Sequence, residues 1–98
     1  MANTLEVNVV SADQVVWSGE ATFIVARTVE GEIGILPEHV PVLSLLDAFP
    51  IEITPASGEK FLVSVDGGLL SVAHNRVSIV SEHALIGKHD FALADQDA

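Results

Sequence analysis

Alternation with a period of two runs through most apolar stretches of this chain, and it narrows the architecture before any motif is considered. Leu5, Val7 and Val9 alternate with Glu6 and Asn8. Phe61, Val63 and Val65 alternate with Ser64 and Asp66, with Leu62 out of phase, and Val77 and Ile79 flank Ser78. Successive side chains of an extended strand point to opposite faces, so this spacing predicts half-buried strands. Turn signals punctuate it at Ser11-Ala12-Asp13, Gly31, Pro37 to Pro41, Pro55-Ala56-Ser57-Gly58, Gly67-Gly68 and His74-Asn75. Many short strands separated by turns every 8–12 residues or so predict an all-β sandwich or barrel. A chain of 98 residues is one domain. That size buries roughly 60–68% of its unfolded surface, enough for a core without disulfides or metals.

Two hairpins follow from the pattern. One joins Ile51–Thr54 to Lys60–Asp66, and the other joins Leu69–Ala73 to Val77–Glu82 through His74-Asn75. Asn tolerates the left-handed conformation that a tight turn requires. Gly67-Gly68 interrupts a strand pattern and predicts a bulge or a corner. Phe23-Ile24-Val25-Ala26 is apolar on both faces, and so is Leu43 with Leu45-Leu46. Such runs belong to a central strand or to a sheet covered from outside. After Glu82 the pattern weakens. Residues 1–87 read as the domain and 88–98 as a poorly ordered or marginally helical tail, because so short an isolated helix is barely stable.

The densest cluster of backbone specialists is Glu30 to Val42, EGEIGILPEHVPV. Gly31 and Gly34 allow positive φ or a close backbone approach, and Pro37 and Pro41 fix φ. Ile33, Ile35 and Leu36 are placed to anchor the segment to a core, leaving Glu38 and His39 on a stiff, presented loop.

Charge excludes several functions. Four Lys and Arg stand against fourteen Asp and Glu. Nucleic-acid binding needs cations to displace phosphate counterions, and anionic lipid disfavours the same surface. No apolar run approaches the ~20 residues of a membrane helix, and the N-terminus lacks the pattern of a secretory signal. Cysteine is absent. The four histidines show no metalloprotease spacing and no His-x-His pair, and none of the serines lies in a nucleophile elbow. Glu30 and Glu32 form a carboxylate pair without an aromatic sugar platform, which reads as an acidic loop edge or a partner contact. Neither a catalytic, a metal nor a cofactor site is expected. A small metal-dependent β-barrel enzyme and a free-standing interaction module are the rival readings. The apolar share is high for so acidic a chain, as in a domain with part of its surface covered by a partner.

Several ordered segments resemble one family. Val9-Val10-Ser11-Ala12-Asp13, Trp17-Ser18-Gly19, Glu30 through Pro41, Gly67 through Val72 and Val77 through Val80 together resemble the N-terminal β-sandwich domain of the epsilon subunit of bacterial F-type ATP synthase. The resemblance covers about residues 5–87. It implies a flattened β-sandwich of about ten short strands. It also implies a non-catalytic central-stalk subunit that binds gamma, rests on the ring of c subunits, and helps couple proton flow to ATP synthesis. The expected location is peripheral, on the cytoplasmic side of the cell membrane, through the complex.

By the same resemblance the partner contacts are Glu32 toward the polar loops of the c ring, His39 toward gamma or the ring, and Glu30, Glu38 and Val40 beside them. Ser11 is a further candidate on the gamma side. Glu38 stands where the family often has glycine. Family members usually continue into a C-terminal helical hairpin. This sequence reads as a short form that stops where the hairpin would start, so neither an extending inhibitory arm nor ATP binding is expected.

Overall fold

The computed structural model describes residues 3–12 and 14–87. Asp13 and the expected tail at 88–98 lie outside them. The described residues form nine strands and no helix: β1 (Leu5–Ser11), β2 (Gln14–Thr28), β3 (Gly31–Ile35), β4 (Val42–Leu46), β5 (Ile51–Pro55), β6 (Phe61–Val65), β7 (Gly68–Ala73), β8 (Arg76–Val80) and β9 (Ala84–Gly87). The order is β1-β8-β7-β4-β2-β5-β6-β9, with β3 on β2 and β1 also on β2. All pairings are antiparallel except β1 with β8.

One strand is not short. β2 runs for 15 residues and serves both layers. Its first half pairs with β1, and its second half lies between β3 and β5. Register shifts at Val16 and Thr22 make this change of layer, because an extra residue bends the strand and increases its twist. Past the second shift Ile24, Ala26 and Thr28 point inward while Phe23 and Arg27 point out. The two-faced apolar run at Phe23–Ala26 is thus a central strand, as its composition implies.

The inward positions of both layers meet in one core of Leu5, Val7, Val9, Ile24, Ile35, Ile51, Ile53, Val63, Leu70, Val72, Val77, Ile79 and smaller neighbours. Across the layers Trp17 meets Phe61 edge to face, with ring centroids 5.1 Å apart. Buried Ile and Leu contribute ~1.5–3 kcal/mol each, so this cluster is what holds the sandwich.

Both expected hairpins form. The His74-Asn75 turn has φ of 52° and 63°, the two positive values of a type I′ turn. Gly67 and Gly68 make the corner between β6 and β7, with φ of 115° and 130°.

The Glu30–Val42 segment is not a single loop. Its middle is β3, because Ile33 and Ile35 alternate with Glu32 and Gly34 and pair along β2. Ile35 is fully buried and Ile33 partly so, but Leu36 is exposed and does not anchor the segment as expected. Strand alternation already gives the inward side to residue 35, so residue 36 turns outward. Gly34 lies beneath the Phe23 ring, where an added Cβ would sit 3.4 Å from it.

Candidate functional site

Cross-strand register arranges the outer face of the β4-β7-β8-β1-β2 layer into three rows. Leu45 pairs with Leu69, Leu69 with Val80, Val80 with Val10, and Val10 with Val15. The next row is Leu43, Ser71, Ser78, Asn8 and Ser18. The third is Ala73, Arg76, Glu6 and Glu20. The face is therefore graded from apolar, through small polar groups, to charge. The apolar row is open: Val15 is 62% exposed, Leu45 58% and Val80 46%, with Leu43 beside it at 71%. Among the described residues nothing covers the row, and at strand spacing it spans about 19 Å. An apolar stripe continuous across five strands marks an interaction surface, whereas scattered apolar residues do not.

β4 connects this row to both ends of the Glu30–Val42 segment. At one end the Val29 amide donates to the Leu45 carbonyl (3.0 Å), which places the Val29-Glu30 turn beside the row. Thr28 braces that turn. Its hydroxyl donates to the Gly31 carbonyl (2.9 Å) and accepts from the Glu30 amide (3.1 Å). Glu30 and Glu32 are both exposed here. Glu32 pairs in register with Arg27, whose guanidinium stacks 4.3 Å over the Phe49 ring. These groups, with Val25, Pro50, Glu52 and Leu62, line a depression of about 280 Å³.

At the other end of β3 lie Glu38, His39 and Val40. Glu38 has φ 73°. The His39 amide donates to the Leu36 carbonyl (3.1 Å), and its ring Nδ1–H donates to the Val40 carbonyl (2.7 Å). Val40 is exposed. Ser11 closes β1 and is only 8% exposed, so its hydroxyl has little surface to offer a partner. It lines a shallow groove with Leu45, Leu69 and Val80, which puts it beside the apolar row. Strand phase explains its burial, since Ser11 shares its side of β1 with Leu5, Val7 and Val9.

One polar cluster escaped the sequence reading. Asp66, on the β6–β7 corner, accepts from the His83 ring Nδ1–H (2.8 Å), the His83 amide (3.2 Å) and the Ser81 hydroxyl (2.8 Å). Ser81 Oγ also lies 2.9 Å from the His83 carbonyl oxygen. The hydroxyl thus faces the carboxylate and not the imidazole, the wrong order for activating a nucleophile. The cluster instead pins the turn entering β9. No group of three His, Cys, Asp or Glu able to hold a metal ion occurs among the described residues.

This staple predicts a pH dependence. The His83 hydrogen bond, then that from Ser81, lowers the Asp66 pKa to about 2. The same hydrogen bond, then the Asp66 charge, raises that of His83. A raised histidine contributes stability below its ordinary pKa that is lost as pH climbs through the raised value. A lowered aspartate contributes above its ordinary 3.8, and that is lost as pH falls toward about 2. The combined contribution is thus complete between the two ordinary values. We expect the melting temperature to decline slightly as pH rises above the ordinary histidine value of 6.5, the pair being exposed and screened. His83→Gln should remove that decline, and parallel profiles for variant and wild type would contradict it.

With the geometry in place, comparison with known proteins is informative. Residues 4–87 match the family described as ATP synthase, Delta/Epsilon chain, beta-sandwich domain. The ATP synthase epsilon chain of Streptomyces avermitilis is 46% identical over 84 residues, covering 86% of this chain and 68% of that one. Among solved structures, a chain in Euglena gracilis mitochondrial ATP synthase superposes with a TM-score of 0.82 at 20% identity, covering 99% of this chain and 64% of that one. A chain in the central stalk and c-ring of Tetrahymena thermophila mitochondrial ATP synthase gives 0.70 at 22% identity, covering 96% and 73%. These likenesses agree with the sandwich, and the family match spans nearly every described residue. The chain belongs to the delta/epsilon-chain β-sandwich family of ATP synthase, a family of non-catalytic chains in that membrane complex.

Proposed function

We infer that the chain is a central-stalk subunit that joins gamma to the c ring on the cytoplasmic side of the membrane and helps couple proton translocation to ATP synthesis. The observation that carries this reading is the apolar row Leu45–Leu69–Val80–Val10–Val15, left open by the described residues, on a chain of this family. Gamma is its partner. The relatives' place in ATP synthase, and in one case in a central stalk with a c-ring, supports the choice.

Size limits what the row does alone. A strip about 19 Å long and roughly 10 Å wide offers about 200 Å². A permanent complex buries roughly 1,000 Å² or more on each side. The contact therefore extends over the serine and asparagine band and along β4 to Leu43 and Val40.

β3 separates two polar groups, and each meets a different surface. Glu38, His39 and Val40, at the Val42 end of β4, border the gamma contact. Glu30 and Glu32, on the opposite end, face the polar loops of the c ring. Exposed ion pairs add little affinity, so the acids set register and association rate. Ser11 contributes through the groove it lines, beside the gamma contact.

The direct test is association. Purified chain should bind isolated gamma, and the pair should bind the c ring. Absence of binding to gamma would reject the reading in favour of an unrelated interaction module. Glu32→Arg should weaken attachment to the c ring about three- to tenfold at low ionic strength and much less at high salt. Attachment unchanged at every salt concentration would remove the Glu32 contact while leaving the gamma contact standing.

A further inference from the structure

Asn75 ties three segments together at one point. Its carbonyl accepts from the Glu6 amide (2.8 Å), fixing the β7–β8 turn to the start of β1. Its side chain reaches the other way. Oδ1 accepts from the Glu38 amide (2.6 Å) and Nδ2 donates to Glu38 Oε2 (2.9 Å). A main-chain N–H can only donate and a carboxylate can only accept, so the amide has one workable orientation.

The type I′ turn does not need this side chain. Asparagine suits its left-handed φ, but the turn closes through the main chain. The reciprocal pair instead spans 37 residues to reach the β3–β4 loop. There it bonds the amide and the carboxylate of Glu38, whose φ of 73° is one where a residue with a long side chain is rare and strained. The bond from the His39 amide to the Leu36 carbonyl closes a β-turn with Pro37 and Glu38 at its centre, a turn that asks for positive φ at Glu38, and the reciprocal pair ties that turn to the β7–β8 turn.

We propose that Asn75 and Glu38 form a lock that presets the β3–β4 loop for gamma, making Asn75 a positioning residue for His39 and Val40. This rests on the reading that gamma docks on the neighbouring face. A loop already held in its bound shape loses less freedom on association, so the lock acts on affinity through preorganisation.

The polarity of the lock supplies its test. Asn75→Asp sets two carboxylates against each other while keeping a residue that tolerates positive φ. Adding Glu38→Gln restores both bonds: the amide of residue 38 donates to the new carboxylate, and the glutamine Nε2–H donates to its second oxygen. Glu38→Gln alone keeps an acceptor for the Asn75 amide. Binding to purified gamma is measured by calorimetry for each variant, with amide hydrogen exchange over residues 36–41 and melting temperature alongside.

Asn75→Asp should speed exchange at residues 38–40 and weaken binding about tenfold. The double variant should return to within about threefold of Glu38→Gln alone, the reference that already lacks the charge at residue 38. A purely structural role would move melting temperature without this crossed recovery in affinity. Wild-type affinity in Asn75→Asp, or no recovery in the double variant, would overturn the lock alone. Failure of wild type to bind gamma would overturn the underlying reading, and the lock's role with it.

Discussion

Leu45→Asp combined with Leu69→Asp is expected to abolish measurable binding to gamma, a loss of more than about a hundredfold. The two side chains are cross-strand partners in the apolar row. Both are exposed in the free chain, so aspartate there remains hydrated and the fold is kept. In the complex the change removes two buried leucines, worth ~1.5–3 kcal/mol each. It also forces two carboxylates out of water, a further cost of at least a few kcal/mol without partners. Every ~1.4 kcal/mol is tenfold in affinity, so even partial burial exceeds a hundredfold. Ser57→Asp, in the exposed β5–β6 turn, is the control and should bind normally. Surface plasmon resonance with a circular-dichroism melt checks both parts. Normal binding by a folded double variant would show that the docking face lies elsewhere.

The largest effect on stability is expected from Gly68→Ala. Gly68 opens β7 with φ 130°, a region that side chains avoid. An added Cβ would also lie 2.1 Å from the Val80 carbonyl oxygen, which is rigid main chain of the neighbouring strand. Gly31 separates the two contributions. Its φ is 126°, yet nothing lies within 4 Å of an added Cβ. Gly31→Ala should thus cost only backbone strain, of order 1–3 kcal/mol. Gly68→Ala adds a displacement of β8 and should cost roughly 3–5 kcal/mol, a large part of the stability of a domain this size. Urea unfolding midpoints for the two variants make the comparison. Equal losses would mean that β8 yields without penalty.

The same glycine illustrates how much of the fold was legible. Gly67-Gly68 inside an alternating pattern signalled a corner, and the alternation itself signalled the strands and both hairpins. These are local features, settled by neighbouring residues. β2 was harder to read. Trp17-Ser18-Gly19 continues through the strand, and the shifts at Val16 and Thr22 carry it between layers without any Gly or Pro to mark them. In the Glu30–Val42 segment glycines and prolines dominate the composition and obscure the strand within it. The Ile33/Ile35 alternation that makes it a strand is only two residues deep.

The proposed docking face shows a different limit. Alternation says which residues share a side, and Val10 and Val80 were each visible as apolar. Their union in one row depends on the parallel pairing of β1 with β8, across 70 positions of sequence. No local pattern encodes that pairing. Asp66, Ser81 and His83 come together through the same long-range topology, at the meeting of a β6–β7 corner and a β8–β9 turn. Glu38 was legible as an oddity, an acid where backbone freedom is needed. Its partner Asn75 was legible only as a turn residue.

Coupling is the central claim, and reconstitution tests it most directly. ATP synthase complexes assembled with and without this chain in proteoliposomes would be compared for ATP synthesis driven by an imposed proton gradient. With the chain present, synthesis should follow the gradient and hydrolysis should pump protons. Without it, synthesis should fall to background while the catalytic head continues to hydrolyse ATP. Equal proton-driven synthesis in both preparations would contradict the account.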